Sequence, residues 1–177
     1  MKDQAENLRK MVQQKQNNSN FTANLALALQ EQGQKVILFD ADLGMANLDV
    51  ILGVTPNYNL NHVISGKKTL SEIILEGPNG ISLIPGGSGI EELANLSRYQ
   101  LNNLIDSWSE LEEEYDIILI DTGAGLSNIV INFILAADET LVISTSEPTS
   151  ITDAYGVVKV LSKHKQKLDI KLVINQA

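Results

Sequence analysis

The chain has 177 residues, of which 44% are hydrophobic and 20% are charged, a balance typical of a globular domain and not of a disordered chain. Its net charge of −9 argues against a nucleic-acid-binding face, which is normally basic. The absence of cysteine excludes disulfides and cysteine-ligated metals.

The N-terminal segment, residues 1–18, is polar and mixed in charge. From these residues alone, a solvated and frayed N-terminus is the simplest interpretation, although Ala5, Leu8, Met11 and Val12 form a narrow helical stripe. The segment lacks the apolar region of a signal peptide. No run in the chain approaches the ~20 apolar residues that cross a bilayer. Together with the lack of cysteine, these features predict a cytoplasmic location.

Five apolar runs have the length of β-strands, and most are continuous, as in strands of a parallel sheet that is covered on both faces. Helical patterns alternate with them, which predicts a doubly wound α/β domain with a mainly parallel sheet and helices on both faces. The predicted strands are 35–40, 81–85, 115–121, 140–145 and 170–175. The predicted helices are 19–33 (with Phe21, Leu25, Ala28 and Leu29 on its apolar stripe), 71–77, two within 89–114, 127–138 and 150–165.

Three aspartates fall where buried strands end. Asp40 and Asp42 lie in "LFDAD", and Asp121 lies in "ILIDTGAG", followed by two glycines. A strand-end carboxylate can hold Mg²⁺ through water, a second can orient an attacking water, and glycines let backbone N–H groups approach a phosphate. A single aspartate of this kind more often caps a turn, but two such motifs in one small domain favour a phosphate and metal site. Asn175, at the end of the last strand, suits either an adenine edge or a turn.

The stretch "SNFTANLALALQEQGQKVILFDADLGMANLDVILG" (19–53) closely resembles the MinD/ParA group of P-loop ATPases, and residues 19–177 follow that pattern. The motif "DQAENLR" (3–9) resembles the N-terminal activator motif of the FlhG (YlxH) subfamily, which controls flagellar number and placement. The resemblance implies an activator segment at 1–18 and an incomplete MinD-like nucleotide-binding domain at 19–177. It also implies ATP and Mg²⁺ as cofactors, an ATP-dependent homodimer, peripheral membrane association, and the signal-recognition-type GTPase FlhF as partner.

The resemblance also implies roles for individual residues around the metal. Ser19 matches the hydroxyl residue that closes the P-loop and binds Mg²⁺. Asp40 and Asp121, the latter at the Walker B position, match carboxylates near the metal. Asp42 matches the carboxylate that positions the hydrolytic water.

Further matches concern the nucleotide and the partners. Gly123 and Gly125 match the switch that senses the γ-phosphate, and Asn175 matches the residue that reads adenine. Glu147 lies where family members reach across the ATP-bridged dimer. Gln4 matches the residue inserted into the FlhF GTPase site, where its amide would orient the water that attacks GTP.

One part of the family pattern is missing. A buried strand and G-K-G-G-V-G-K should precede Ser19, but Asn18 stands there, and "MVQQKQNN" (11–18) has no buried-strand pattern. No other G-x-x-x-x-G-K-[ST] occurs, and we interpret "IPGGSG" (84–89) as a strand-to-helix loop. We therefore expect ATP binding to be lost or strongly impaired, and the neighbours of the missing inner strand to have unpaired backbone groups. The clean excision before Ser19, and the family's C-terminal membrane anchor beyond Ala177, favour a truncated form of a normal ATPase.

Three functions remain open at this point. The first is an ATP-switched, FlhG-type regulator that stimulates FlhF. The second is a nucleotide-independent GTPase-activating or binding module. The third is a ParA-like ATPase for chromosome or plasmid partitioning, which the acidic balance and the motif at 3–9 disfavour.

Overall fold

The computed structural model describes residues 18–42, 47–87, 107–163 and 168–175. The fold separates into two compact units, Met1–Gly123 and Ala124–Ala177. Gln4 and the rest of the predicted activator segment, apart from Asn18, lie outside the described residues.

The first unit is built around a four-stranded sheet in the order β2-β3-β1-β4. Strand β1 pairs in parallel with β3 and β4, and the short β2 is antiparallel to β3. Its helices are α1 (18–31), α2 (Leu48–Leu52), α3 (Leu60–Ile64), α4 (Leu70–Ile73) and α5 (107–114). Its strands are β1 (Val36–Ala41), β2 (Leu75–Glu76), β3 (Ser82–Ile84) and β4 (Ile117–Thr122), with a 3₁₀ turn at Pro78–Gly80.

The core of this unit forms on β1, in which all six residues are buried. The continuous apolar run of this strand explains why it lies between two parallel neighbours and not at an edge. Helix α1 packs the small side chains of Ala23 and Ala26 against the core, whereas Ala28, predicted on the apolar stripe, is exposed. The stripe prediction was therefore wrong at Ala28. Small residues at the contact let the helix backbone approach the sheet closely, so they define the packed face more than the larger side chains do.

One predicted helix in this unit needs correction, and two short helices were not predicted. The segment 71–77 was expected to be a short helix, but α4 begins at Leu70 with a Thr69–Glu72 capping box and ends at Ile73. Ile74 is extended, and Leu75–Glu76 pair with β3. Helices α2 and α3 had no prediction, since five residues are too few to show a helical period. Of the helices predicted within 89–114, only 107–114 is among the described residues, and it is helical.

The second unit contains α6 (Asn128–Ala136), β5 (Thr140–Ser144), α7 (Pro148–Leu161) and β6 (Ile170–Ile174). Strands β5 and β6 are parallel, and α7 connects them. Helix α6 begins at Ser127, whose side chain accepts a hydrogen bond from the Val130 amide, and α7 begins with a proline in its first turn. These elements match the predicted helices and strands within a few residues at each end.

The mainly parallel sheet with helices is confirmed, but the strand pairing of the described residues falls into two sheets. Strand β4 pairs with β1 in the first unit, and β5 pairs with β6 in the second. Within the described ranges, every helix is too short or too polar to span a membrane.

Candidate functional site

Three carboxylates meet at the carboxyl-terminal edge of the four-stranded sheet. Asp40 on β1 is the register partner of Asp121 on β4, and Asp42 follows β1 directly. All three side chains are buried. The prediction that the strand-end aspartates lie together rested on parallel strands ending at one edge, and the structure places them in that way.

Asp40 accepts hydrogen bonds from two backbone amides, and its burial favours the protonated, neutral form of the carboxyl. Its Oδ2 accepts a hydrogen bond from the Leu48 amide at 3.2 Å, and its Oδ1 accepts one from the Asp42 amide at 3.4 Å. Burial raises its pKa from the ordinary 3.8 to about 7, and the charges of Asp121 and Asp42 act in the same direction. Near neutral pH this carboxyl is therefore partly protonated, and a cation bound to it would displace the proton.

Asp121 is held by two hydroxyl groups of α1. Thr22 Oγ1 donates to Asp121 Oδ1 at 2.9 Å, and the Ser19 side chain is also hydrogen-bonded to this carboxylate. Burial raises the pKa of Asp121, while these two hydroxyls oppose the rise by stabilising the charged form. The first turn of α1 is thereby fixed to the end of β4.

Asp42 lies against the backbone of Gly123. A Cβ atom added at Gly123 would stand 2.6 Å from Asp42 Oδ1 and 3.0 Å from its Cγ. Glycine is therefore required here by the close approach of a carboxylate and not by an unusual backbone angle. The structure thus brings together Ser19, Asp40, Asp42, Asp121 and Gly123.

Three other predicted site residues, Gly125, Glu147 and Asn175, belong to the second unit. Gly125 has a φ of 120°. Glu147 is exposed at the start of α7. The backbone N–H of Asn175 donates to the backbone carbonyl of Ser144 at 2.7 Å. The roles of these three residues, like that of Gln4, stay predictions.

Two residues at the edge were missed by the sequence reasoning. Thr22 follows Ser19 by three positions, which puts both hydroxyls on one side of α1, and that spacing was an available signal. Asn47 precedes Leu48, whose amide binds Asp40, and its Oδ1 is a buried acceptor without a hydrogen-bond partner among the described residues. Nothing in the sequence marked Asn47 apart from an ordinary helix cap.

The chemistry of this edge suits a magnesium ion that arrives with phosphate. No group of three or more His, Cys, Asp or Glu side chains in the described residues is arranged to enclose a metal. A Mg²⁺ ion does not need such a cage, because it is usually bound by one or two carboxylates, several waters and the phosphates of the substrate. The buried oxygens of Ser19, Asp40 and Asp121 fit that second arrangement.

Comparison with known proteins identifies the family. The model of the AAA domain family matches residues 15–174. The chain is 41% identical to the antiactivator FleN of Pseudomonas aeruginosa over 90% of its length and 57% of FleN. It is 44% identical to the flagellum site-determining protein YlxH of Helicobacter pylori over 85% of its length and 51% of YlxH. The chain thus spans about half the length of these curated relatives.

Solved structures agree with the sequence comparison. MinD of Aquifex aeolicus in its complex with MinC superposes with a TM-score of 0.72 at 26% identity, over 90% of this chain and 63% of that one. MinD of Pyrococcus horikoshii, solved with Mg-ADP, gives 0.71 at 30% identity over 90% and 65%. The fold is therefore that of the MinD-like P-loop NTPases, and the chain belongs to the MinD/ParA-type P-loop ATPases, in the FlhG subfamily.

Proposed function

We propose that the chain is the nucleotide-binding part of a MinD-like ATPase that regulates the number or placement of flagella. The observation that carries this proposal is the meeting of buried aspartates from two strands with a buried serine hydroxyl at one sheet edge. The relatives support the biological role, since one is called an antiactivator and another a flagellum site-determining protein.

In this proposal, Ser19, Asp40 and Asp121 would hold Mg²⁺ through their oxygens and bound water. A bound ion would supply positive charge to stabilise the transferred phosphoryl group. Asp42 orients the attacking water, and its contact with Gly123 links that carboxylate to the loop that would sense the γ-phosphate. In the second unit, Gly125 senses the γ-phosphate as well, and Asn175 reads the adenine.

The same proposal extends to assembly and location. ATP joins two copies, and Glu147, exposed at the start of α7, reaches toward the second copy. The ATP-bound form associates peripherally with the cytoplasmic face of the cell membrane. Hydrolysis then releases it, so that the protein switches between two states.

The missing loop limits what this chain does on its own. The P-loop supplies the backbone N–H cradle and the lysine charge for the phosphates, and Ser19 directly follows Asn18 here. Losing one preorganised donor typically costs roughly 3–4 kcal/mol of transition-state stabilisation. Loss of the whole cradle should therefore abolish useful ATP binding by this chain.

A second function is favoured by the motif at 3–9. Residues 1–18 would act as an activator segment that stimulates an FlhF-type GTPase without nucleotide on this chain, with Gln4 orienting the water that attacks GTP. This activity needs the segment and not the phosphate cradle. It is compatible with the first proposal, because the full-length regulator would have both.

Calorimetry with millimolar ATP tests the first proposal. We expect no binding by the chain as it stands, and binding with hydrolysis once a buried strand and GKGGVGK are restored before Ser19. In the restored chain, Asp42→Ala should abolish hydrolysis, whereas Asp49→Ala, a nearby aspartate of α2, should retain it. Hydrolysis that survives Asp42→Ala would show that another residue positions the water.

GTP hydrolysis by FlhF in the presence of the chain tests the second function. The chain should stimulate hydrolysis, Gln4→Ala should remove the stimulation, and Gln13→Ala in the same segment should leave it intact. Equal stimulation by the Gln4→Ala variant would refute the role given to that side chain.

A further inference from the structure

The hydroxyl of Thr22 has two acceptors within reach and only one proton to give. Its Oγ1 lies 2.9 Å from Asp121 Oδ1 and 3.1 Å from the carbonyl oxygen of Asn18, one turn earlier in α1. A threonine in a helix often donates to the carbonyl four residues back, so the second acceptor is always available to it. The first acceptor is a carboxylate 99 positions away in sequence, on a different element.

We propose that Thr22 is a positioning residue for Asp121. It holds the carboxylate in one orientation when no cation is bound, and it transfers its hydrogen bond to Asn18 O when a cation occupies Oδ1. This inference rests on the proposed function, since it takes Asp121 as a carboxylate that faces Mg²⁺.

The second acceptor is what makes this role possible. A hydroxyl that loses a buried carboxylate partner would ordinarily be left unsatisfied, which opposes cation binding. Thr22 avoids that loss because its fallback acceptor lies in its own helix and needs no rearrangement of the backbone. Ser19 also bonds to this carboxylate in the cation-free chain, but its hydroxyl would turn toward a bound metal, so the transfer to a second acceptor is specific to Thr22.

The branched side chain adds a second reason. Threonine is restricted at χ1 in a helix, and it can direct its hydroxyl to the carbonyl of the preceding turn. The rotamer that Thr22 adopts keeps its hydroxyl near both acceptors. The orientation of the Asp121 side chain is what depends on the contact.

Side-chain NMR couplings in the chain as it stands test the inference without nucleotide. The χ1 angle of Asp121 should occupy one rotamer in the wild type, become averaged in Thr22→Val, and return to one rotamer in Thr22→Ser. The matched control is Thr152→Val in α7, because Thr152 makes the same bond to the carbonyl four residues back, 2.8 Å to Pro148 O, and bonds to no carboxylate among the described residues. Thr152→Val should leave the χ1 angle of Asp121 in a single rotamer.

A second variant tests the transfer from the other side and does not depend on the folding of Thr22→Val. In Asp121→Ala the Thr22 hydroxyl should donate fully to Asn18 O, so the Asn18 carbonyl carbon resonance should move downfield. A single Asp121 rotamer in Thr22→Val, or an unchanged Asn18 resonance in Asp121→Ala, would overturn the inference. Failure of ATP binding in the restored chain would instead count against the proposed function and leave these couplings as they are.

Discussion

We expect Asp40→Asn to destabilise the folded chain at pH 4 and to stabilise it at pH 8. The side chain is buried at 2% exposure, and burial raises its pKa from 3.8 to about 7. Asparagine has nearly the same shape and no charge at any pH. The comparison therefore isolates the free energy of keeping an ionisable group in this position.

The sign follows from where the proton is bound in each state. Below about pH 4 the carboxyl is protonated in both the folded and the unfolded chain, so its ionisation costs nothing. Between about pH 4 and pH 7 the unfolded chain releases the proton and the folded chain retains it, so the free energy of unfolding falls as pH rises. Three units of pKa at about 1.4 kcal/mol each give a loss of about 4 kcal/mol, complete above about pH 7.

Asparagine removes this loss but has only one acceptor oxygen. Asp40 accepts hydrogen bonds from the amides of Leu48 and Asp42, and one of the two donors would lose its partner. An unsatisfied buried donor costs about 1–3 kcal/mol. The variant should therefore be less stable than the wild type by about 1–3 kcal/mol at pH 4 and more stable by about 1–3 kcal/mol at pH 8.

Urea unfolding followed by tryptophan fluorescence measures both values. Trp108 is the single tryptophan of the chain, and its ring packs edge-on against Phe39, the neighbour of Asp40, at 5.2 Å between centroids. Asp153→Asn, the same substitution at an exposed position in α7, is the matched control. Unfolding curves for Asp40→Asn that differ from the wild type by the same amount at every pH would refute the assignment of the raised pKa to Asp40.

Three further substitutions follow from the contacts of single residues. Gly123→Ala should destabilise the chain by about 1–3 kcal/mol, because the new Cβ would stand 2.6 Å from Asp42 Oδ1. In an Asp42→Ala background the loss of stability caused by Gly123→Ala should largely disappear. Urea titrations of this double-mutant cycle measure it, and an undiminished loss would show that the Asp42 contact is not its cause. Gly156→Ala should instead stabilise the chain by about 0.5–1 kcal/mol, because Gly156 lies in α7 with open space around the added Cβ. Thermal unfolding followed by circular dichroism measures this gain. Thr69→Ala removes the cap of α4 and should cost about 1 kcal/mol in the urea assay, whereas Thr69→Ser should cost much less; equal losses would exclude the cap as the cause.

The strands and their common edge were predictable because they depend on patterns that lie close together in sequence. The strands Val36–Ala41 and Ile117–Thr122 each begin with a continuous apolar run, and each has an aspartate as its next-to-last residue. Parallel strands end on the same side of a sheet, so Asp40 and Asp121 could be placed together before any coordinates. The structure also pairs them in register, which was not predicted.

The contacts that shape the edge were not predictable in the same way. Thr22 and Asp121 are 99 positions apart, and only the packing of α1 on the sheet brings them to hydrogen-bond distance. The two-residue strand β2 forms because β3 offers it a partner, against the helical pattern of its own segment. In both cases the observed structure depends on tertiary contacts that the local sequence does not specify.

Burying the carboxylates of Asp40 and Asp121 at the edge of the sheet costs free energy, and the described residues around them do not offset that cost. Among the described residues, the groups that act on Asp40 and Asp121 are amides, hydroxyls and other carboxylates, all of them neutral or negative. Burial of the carboxylates strengthens their attraction for a cation for the same reason that it raises their pKa values, because both effects follow from removing water. A Mg²⁺ ion with its phosphates would relieve this cost, so binding would both stabilise the fold and release protons from the site. The chain without its loop keeps the cost and lacks the phosphate cradle, and restoring the loop should therefore raise stability in the presence of Mg-ATP far more than in its absence.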